Sequence, residues 1–242
     1  MISVLRELRD TPEEAPPTLV GNVLKEVGLA DSYAVTDSPL GPVVVAFGRD
    51  GITAVTPVVE DEVAFAAGYR ARHGRAVVRV DALPAGLLER PAFDLGRLSD
   101  FERDVLTVTR TIPSGQVRPY SWVAREIGRP GAVRAVGSAL GRNPIPWLIP
   151  CHRVVRSDGR VGDYAFGSAA KRTVLEAEGL DPDQLERWAR QRTRYVGSDT
   201  THVYCFPTCQ HARRITDHHR VHLASPAAAA AAGYRPCKVC RP

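Results

Sequence analysis

The chain has 242 residues, 44% of them hydrophobic and 24% charged, with a formal net charge of +5. It is long enough for one or two domains plus a small module, each with a buried core. Its apolar runs fall short of the roughly 18 residues a membrane-spanning helix needs. The start, MISVLRELRDTPEEAPP, places acids too early for a secretory signal. Five cysteines, an odd number, do not make a fully paired secreted framework. A soluble cytoplasmic protein is expected, in which cysteines serve as metal ligands or catalysts.

The charge is graded along the chain. Residues 1–94 carry 9 basic and 14 acidic side chains, residues 95–189 carry 14 and 11, and residues 190–242 carry 9 and 2. A basic C-terminal block beside an acidic one is the footprint of a polyanion partner. Arginine bias in the coding sequence is the plainer account, since only three of the 32 basic residues are lysine.

Taken in chain order, residues 1–30 read as an N-terminal helical extension, with apolar spacing near 3.6 over 17–29 and a stop at Gly28. YAVTDSPLGPVVVAFGRDGITAV, 33–55, reads as three strands separated by turns, 60–74 as a helix and AVVRVDAL as a strand. Residues 31–94 thus make a small α/β scaffold domain. After Pro91 the pattern becomes helical. LSDFERDVLTVTRTIP, 98–113, opens on a capping box, Ser99 with Glu102. PSGQVRPYS is a turn, SWVAREIG a short helix, GRPG a tight turn and AVRAVGSALGRN a second helix: the outline of a helix-turn-helix. Helices follow at 168–179 and 181–194, the latter with a basic, linker-like end (183–194). From Tyr195 the chain is rich in cysteine and histidine and poor in acids.

WLIPCHRVVRSDG, 147–159, carries the isolated Cys151 with His152 beside it. A lone cysteine is commonly a packed core thiol, and it can also be a metal ligand or a nucleophile. As a nucleophile it would need His152 to take its proton and a carboxylate to orient the imidazole. Glu176 and Glu178, on the next helix, are the nearest acids. Further on, Cys205-x3-Cys209 and Cys237-x2-Cys240 form two close pairs separated by a spacer, the sequence form of a four-thiolate zinc site. A module with few large apolar side chains would draw much of its folding energy from that metal.

Residues 144–179, PIPWLIPCHRVVRSDGRVGDYAFGSAAKRTVLEAEG, with the preceding YSWVAREIGRPGAVRAVGSALGRNP, closely resemble the O6-alkylguanine-DNA alkyltransferases, whose signature IPCHRV is intact at Ile149 to Val154. The resemblance implies an α+β protein: a ribonuclease H-like domain (31–94), then a catalytic domain (95–182) that docks double-stranded DNA by its helix-turn-helix. A damaged guanine would be flipped into the protein, and Cys151 would take its alkyl group once and irreversibly, with no cofactor. The resemblance thus implies a single-turnover methylated-DNA–protein-cysteine S-methyltransferase, expected to be monomeric. By the same resemblance His152 is the base, acting through a water, Glu178 orients it and Asn143 braces the Cys151 loop. Arg134 fills the gap left by the flipped base, Tyr120 crowds the target phosphate, Tyr164 walls the pocket, and the backbone at Cys151, Val154 and Ala165 reads the guanine edge. Ala165 and Phe166 stand where serine and glycine are common, and Phe166 would narrow the pocket in favour of methyl over bulky lesions. Trp147 stands where the signature is usually aliphatic.

Residues 195–242 resemble the metal-binding domain of Ada. The resemblance implies zinc on Cys205, Cys209, Cys237 and Cys240, with Cys205 accepting methyl from a DNA phosphotriester and Arg213, Arg214 and Arg220 near the DNA backbone. Phe206 stands where that domain usually has arginine, the domain follows the alkyltransferase where in Ada it leads, and the AraC-type domain of Ada is not represented. A zinc-dependent DNA-binding or alkylation-sensing regulator is the alternative. A cysteine hydrolase using Cys151 and His152 is a more distant third, since no oxyanion-hole loop is evident.

Overall fold

β-Branched runs cut by turn residues produce the N-terminal sheet. A computed structural model describes residues 23–58 and 61–242. Residues 1–22, which hold most of the expected helical extension, lie outside them. The chain divides into two compact units. Among the described residues, the first comprises 23–36, 44–53, 58 and 61–94; the second holds 95–242 with the short segments 37–43 and 54–57.

Strands β1 (Ala30–Ser38), β2 (Gly41–Gly48) and β3 (Gly51–Pro57) are joined by two-residue turns, and helix α1 (Glu62–His73) leads into β4 (Ala76–Arg79). The sheet order is β3-β2-β1-β4, with β4 parallel to β1. Gly51 cannot be replaced without strain: its φ is +125°, and a Cβ would lie 2.4 Å from the Ala92 carbonyl oxygen. Inside this unit the Tyr69 hydroxyl donates to buried Asp31 at 2.6 Å and pairs with Thr53 at 2.7 Å. The Arg75 guanidinium lies 3.4 Å from the same carboxylate, so the buried acid is compensated.

The second unit begins with helix α2 (Asp100–Arg110), whose Ser99–Glu102 capping box closes in both directions as its sequence requires. Strand β5 (Arg118–Pro119) occupies what reads locally as a turn. It exists because β6 (Val154–Val155), far along the chain, pairs with it in parallel, Arg118 opposite Val154. Helices α3 (Tyr120–Glu126) and α4 (Val133–Gly141) follow, joined by a turn at residues 127–132. Helices α5 (Gly167–Ala177) and α6 (Pro182–Arg190) complete this part. α6 is more than a spacer. Leu185 packs with Val117, Val155, Val161 and Leu175 in one apolar cluster, and Trp188 lies against it.

The last part is a second sheet in the order β10-β8-β7-β9, made of β7 (Tyr195–Ser198), β8 (Val203–Cys205), β9 (Arg220–Leu223) and β10 (Arg235–Pro236). Helix α7 (Pro226–Ala231) lies between β9 and β10. Its apolar cluster is small: Tyr204, Leu223 and Ala229, flanked by Tyr195, Val221 and Tyr234.

Candidate active site and metal centre

Ile149 is fully buried, and Pro150 cannot continue an α-helix, so the chain turns sharply into a single 3-10 turn, Cys151–Arg153. Trp147 takes a left-handed φ of +72° at the entry to this turn. The Asn143 amide spans the loop: its Nδ2 donates to the Ile149 carbonyl at 3.1 Å and to the Cys151 Sγ at 3.2 Å, and its Oδ1 accepts from the Ile145 N–H at 3.0 Å. Burial raises the pKa of the Cys151 thiol; the Asn143 hydrogen bond and the nearby Lys171 charge pull the other way and do not overcome it. A thiol held in this way is protonated at neutral pH and needs a base before it can attack.

Of the two candidate acids, Glu176 is exposed and Glu178 meets the histidine. The His152 Nε2 lies 2.9 Å from Glu178 Oε1. Arg153 donates to both Glu178 oxygens and to the Ile112 carbonyl, and the Gly115 N–H donates to Glu178 Oε2 at 3.0 Å. Burial lowers the His152 pKa more than Glu178 raises it, so the ring is neutral at pH 7 and can take a proton. Its Nδ1 is buried and closes no hydrogen bond among the described residues, which leaves that nitrogen as the acceptor. Burial alone would raise the Glu178 pKa; the hydrogen bonds from His152 and Arg153 outweigh it and hold the carboxyl at about 2, against an ordinary 4.5.

That depressed value ties stability to pH. The unfolded chain protonates Glu178 near 4.5, whereas the folded chain resists down to about 2. The stabilisation is therefore whole above pH 4.5 and disappears as pH falls toward 2, an effect of about 3 kcal/mol. Urea unfolding at pH 5 and at pH 2.5 is expected to show most of that loss, and Glu178→Gln is expected to remove the acid-dependent component.

Cys151 forms part of a pocket of about 530 Å³ whose lining also includes Tyr120, Gly137, Tyr164 and Ala165. The remaining expected residues do not line it. Arg134 is exposed on the first turn of α4; Val154 is buried, with its carbonyl accepting from Lys171 Nζ at 2.6 Å. The Tyr164 ring meets the edge of His152 at a centroid distance of 5.9 Å and that of Phe166 at 5.5 Å. Phe166 thus backs the pocket tyrosine and does not itself line the cavity. Three residues were given no role from the sequence. Arg156 and Asp163 line the pocket, and Lys171 is fully buried beneath it, bridging the Val154 and Asp163 carbonyls. Burial lowers the Lys171 pKa to about 8. In sequence Lys171 sits beside Arg172 on a helix and looks like any solvated cation.

The second cluster is built by two turns. Cys205 ends β8 and the Cys209 N–H returns to the Phe206 carbonyl at 3.0 Å; Cys237 follows β10, with its N–H on the Tyr204 carbonyl at 2.9 Å, and Cys240 lies three residues on. All four thiols are buried and unpaired by disulfides, and their Sγ atoms lie within 4.8 Å of one another. Hydrogen bonds among the sulfurs push the Cys205 pKa up and the Cys209 pKa down. A donor set of four converging sulfurs fits tetrahedral zinc, which supplies positive charge that keeps such thiols deprotonated. Beside Cys205 opens a groove of about 590 Å³ that Arg214, Arg235 and Lys238 help to line. Arg213 and Arg220 are otherwise engaged: Arg213 donates to the Gly115 carbonyl, and Arg220 donates to the Ile215 carbonyl and pairs with Asp217.

Residues 100–180 match the family model of the 6-O-methylguanine DNA methyltransferase DNA-binding domain, and residues 187–242 match the metal-binding domain of Ada. A methylated-DNA–protein-cysteine methyltransferase of Mycobacterium leprae is 37% identical over 146 residues, 59% of this chain and 88% of the relative. The chain belongs to the methylated-DNA–protein-cysteine methyltransferase family. A member from Methanosarcina acetivorans is 33% identical over 162 residues, 61% of this chain and 97% of the relative. The crystal structure of Mycobacterium tuberculosis OGT in complex with DNA matches at 31% identity with a TM-score of 0.51, covering 61% of this chain and 93% of that one. The methyltransferase class expected from the sequence is thus shared with named relatives, and the expected DNA-binding and metal-binding domains match family models. No helix among the described residues is long and apolar enough to cross a membrane.

Proposed function

We propose that this methyltransferase repairs DNA by moving the alkyl group of an O6-alkylguanine onto Cys151. The observation that carries the reading is a protonated thiol on a pocket wall, within a loop whose next residue is a neutral histidine paired to an ionised carboxylate. The Cys151 proton passes to His152 through a water, and Glu178 steadies the imidazolium. The sulfur forms a bond to the alkyl carbon as the carbon–oxygen bond breaks, and guanine leaves with the electron pair on its oxygen and regains a proton. The thioether is stable, so each chain acts once and needs no cofactor for this step. Double-stranded DNA docks on α3 and α4 as a helix-turn-helix, with the α4 arginine, Arg134, entering where the base has left. Tyr120 crowds the target phosphate, and the backbone of Cys151 and Ala165, both on the pocket wall, reads the base. The N-terminal sheet serves as a ribonuclease H-like scaffold, and the protein works as a monomer in the cytoplasm.

A second activity is favoured by the cationic groove beside Cys205. Cys205, Cys209, Cys237 and Cys240 would hold zinc, whose charge would keep the Cys205 thiol deprotonated, so no base would be required there. Its sulfur takes a methyl group from a DNA phosphotriester, and the phosphodiester anion departs. Arg214, Arg235 and Lys238 hold the backbone.

One assay tests both. DNA carrying labelled methyl on guanine oxygen, or on phosphate, is incubated with wild type, Cys151→Ala and Cys205→Ala. One label per chain from the guanine substrate, lost only in Cys151→Ala, is the expected result. Label from phosphotriesters lost only in Cys205→Ala identifies the second acceptor. DNA binding without transfer from either substrate would leave a zinc-dependent regulator as the better reading.

A further inference from the structure

Arg118 is 3% exposed, yet no carboxylate pairs with it among the described residues. Its guanidinium donates to the Val117 carbonyl at 2.8 Å and to the buried Gln116 Oε1 at 2.7 Å, both neutral acceptors. A buried charge satisfied only by neutral groups is strongly disfavoured. The compensation lies on its other side. The guanidinium carbon sits 5.2 Å from the ring centre of Phe206, the residue after Cys205, and 5.8 Å from that of Trp122. The Trp122 Nε1 in turn donates to the Cys240 carbonyl at 3.1 Å. Burial works against the Arg118 charge, and the four clustered cysteines, Cys240 foremost, work for it.

Four thiolates on a divalent cation leave two negative charges. We propose that Arg118 is the built-in countercharge of this metal centre, and that the centre thereby clamps the segment 113–119 that supports Glu178. The inference rests on the reading of the four cysteines as a zinc site. The clamp has three further contacts. The Val117 N–H donates to Thr208 Oγ1 at 2.9 Å, and Thr208 lies between two of the cysteines. The Arg213 guanidinium donates to the Gly115 carbonyl, whose own N–H holds Glu178. Arg118 itself is registered opposite Val154, three residues past Cys151. Metal in the C-terminal module is thus coupled to the hydrogen bonds that orient His152, with Arg118 acting as a positioning residue.

The test uses the full zinc-loaded chain. Zinc content by native mass spectrometry comes first; a folded chain that holds no zinc overturns the metal reading and this inference with it. Zinc release to a chromogenic chelator is then timed for wild type, Arg118→Gln and Arg118→Lys. Release about 10 to 100 times faster from the glutamine variant, largely restored by lysine, is expected when the charge that offsets the thiolates is lost. Equal release from a zinc-bearing glutamine variant overturns the countercharge while leaving the zinc site intact. Should that variant not fold, wild type alone decides: amide exchange at Gly115, Val117 and 151–155 is compared before and after zinc removal. Exchange faster by about tenfold or more supports the clamp, and unchanged protection with zinc verified as removed overturns it.

Discussion

Replacing Glu178 with alanine is expected to weaken the fold by about 3–5 kcal/mol, the usual consequence of stripping one partner from a buried ion pair. Arg153 would keep only the Ile112 carbonyl, and the Gly115 N–H would lose its acceptor. Transfer from O6-methylguanine is expected to slow by about 10²–10⁴, the range for a misdirected general base. Glu178→Gln separates the two effects. The amide still accepts a hydrogen bond, so the stability loss should shrink, but it carries no charge to steady a protonated His152, so the slow transfer should persist. Single-turnover kinetics on a methylated oligonucleotide and urea midpoints at pH 7 measure these. A glutamine variant that transfers at the wild-type rate would reduce Glu178 to a structural role.

Stripping the metal is expected to have a still larger effect on residues 195–242. The apolar cluster there is built on Tyr204, Leu223 and Ala229, too little to order such a module. Metal binding to sites of this kind contributes about 10–16 kcal/mol at neutral pH. Chelation, or Cys240→Ser, should therefore unfold the module and release zinc in the same step. Thermal melts followed by tyrosine fluorescence, with and without added zinc, read this directly. A module that melts at the same temperature without metal would show that packing alone sustains it.

Where short-range chemistry dictates structure, the sequence was sufficient. Ser99 and Glu102 sit three apart, and their capping box closes on neighbours. The strands between Ala30 and Pro57 follow from β-branched runs and turn residues. The two cysteine pairs announce a cluster by spacing alone. What escaped was set by partners distant in the chain. Two-residue strands such as Arg118–Pro119 have no period to detect and exist only through Val154–Val155. Lys171 and Arg172 are adjacent on one helix, and nothing local tells which points inward; the fold buries Lys171 because two pocket carbonyls converge on it. Glu176 and Glu178 were equal candidates by distance along the chain, and helical phase brought Glu178 to His152. Trp147, at odds with the usual signature, adopts a left-handed backbone where a bulky residue carries strain of about 1 kcal/mol or more.

The partners of Arg118 also arrive late. Thr208 is separated from Val117 by 91 positions, and Cys240 from Trp122 by 118. At synthesis rates of about 5–20 residues per second, those groups emerge roughly 5 to 25 seconds after the strand they cover. For that interval the nascent catalytic half exposes Trp122 and leaves Arg118 solvated in the open. The segment that supports Glu178 completes its hydrogen bonds to Thr208 and Arg213 only once the C-terminal part of the chain has been made.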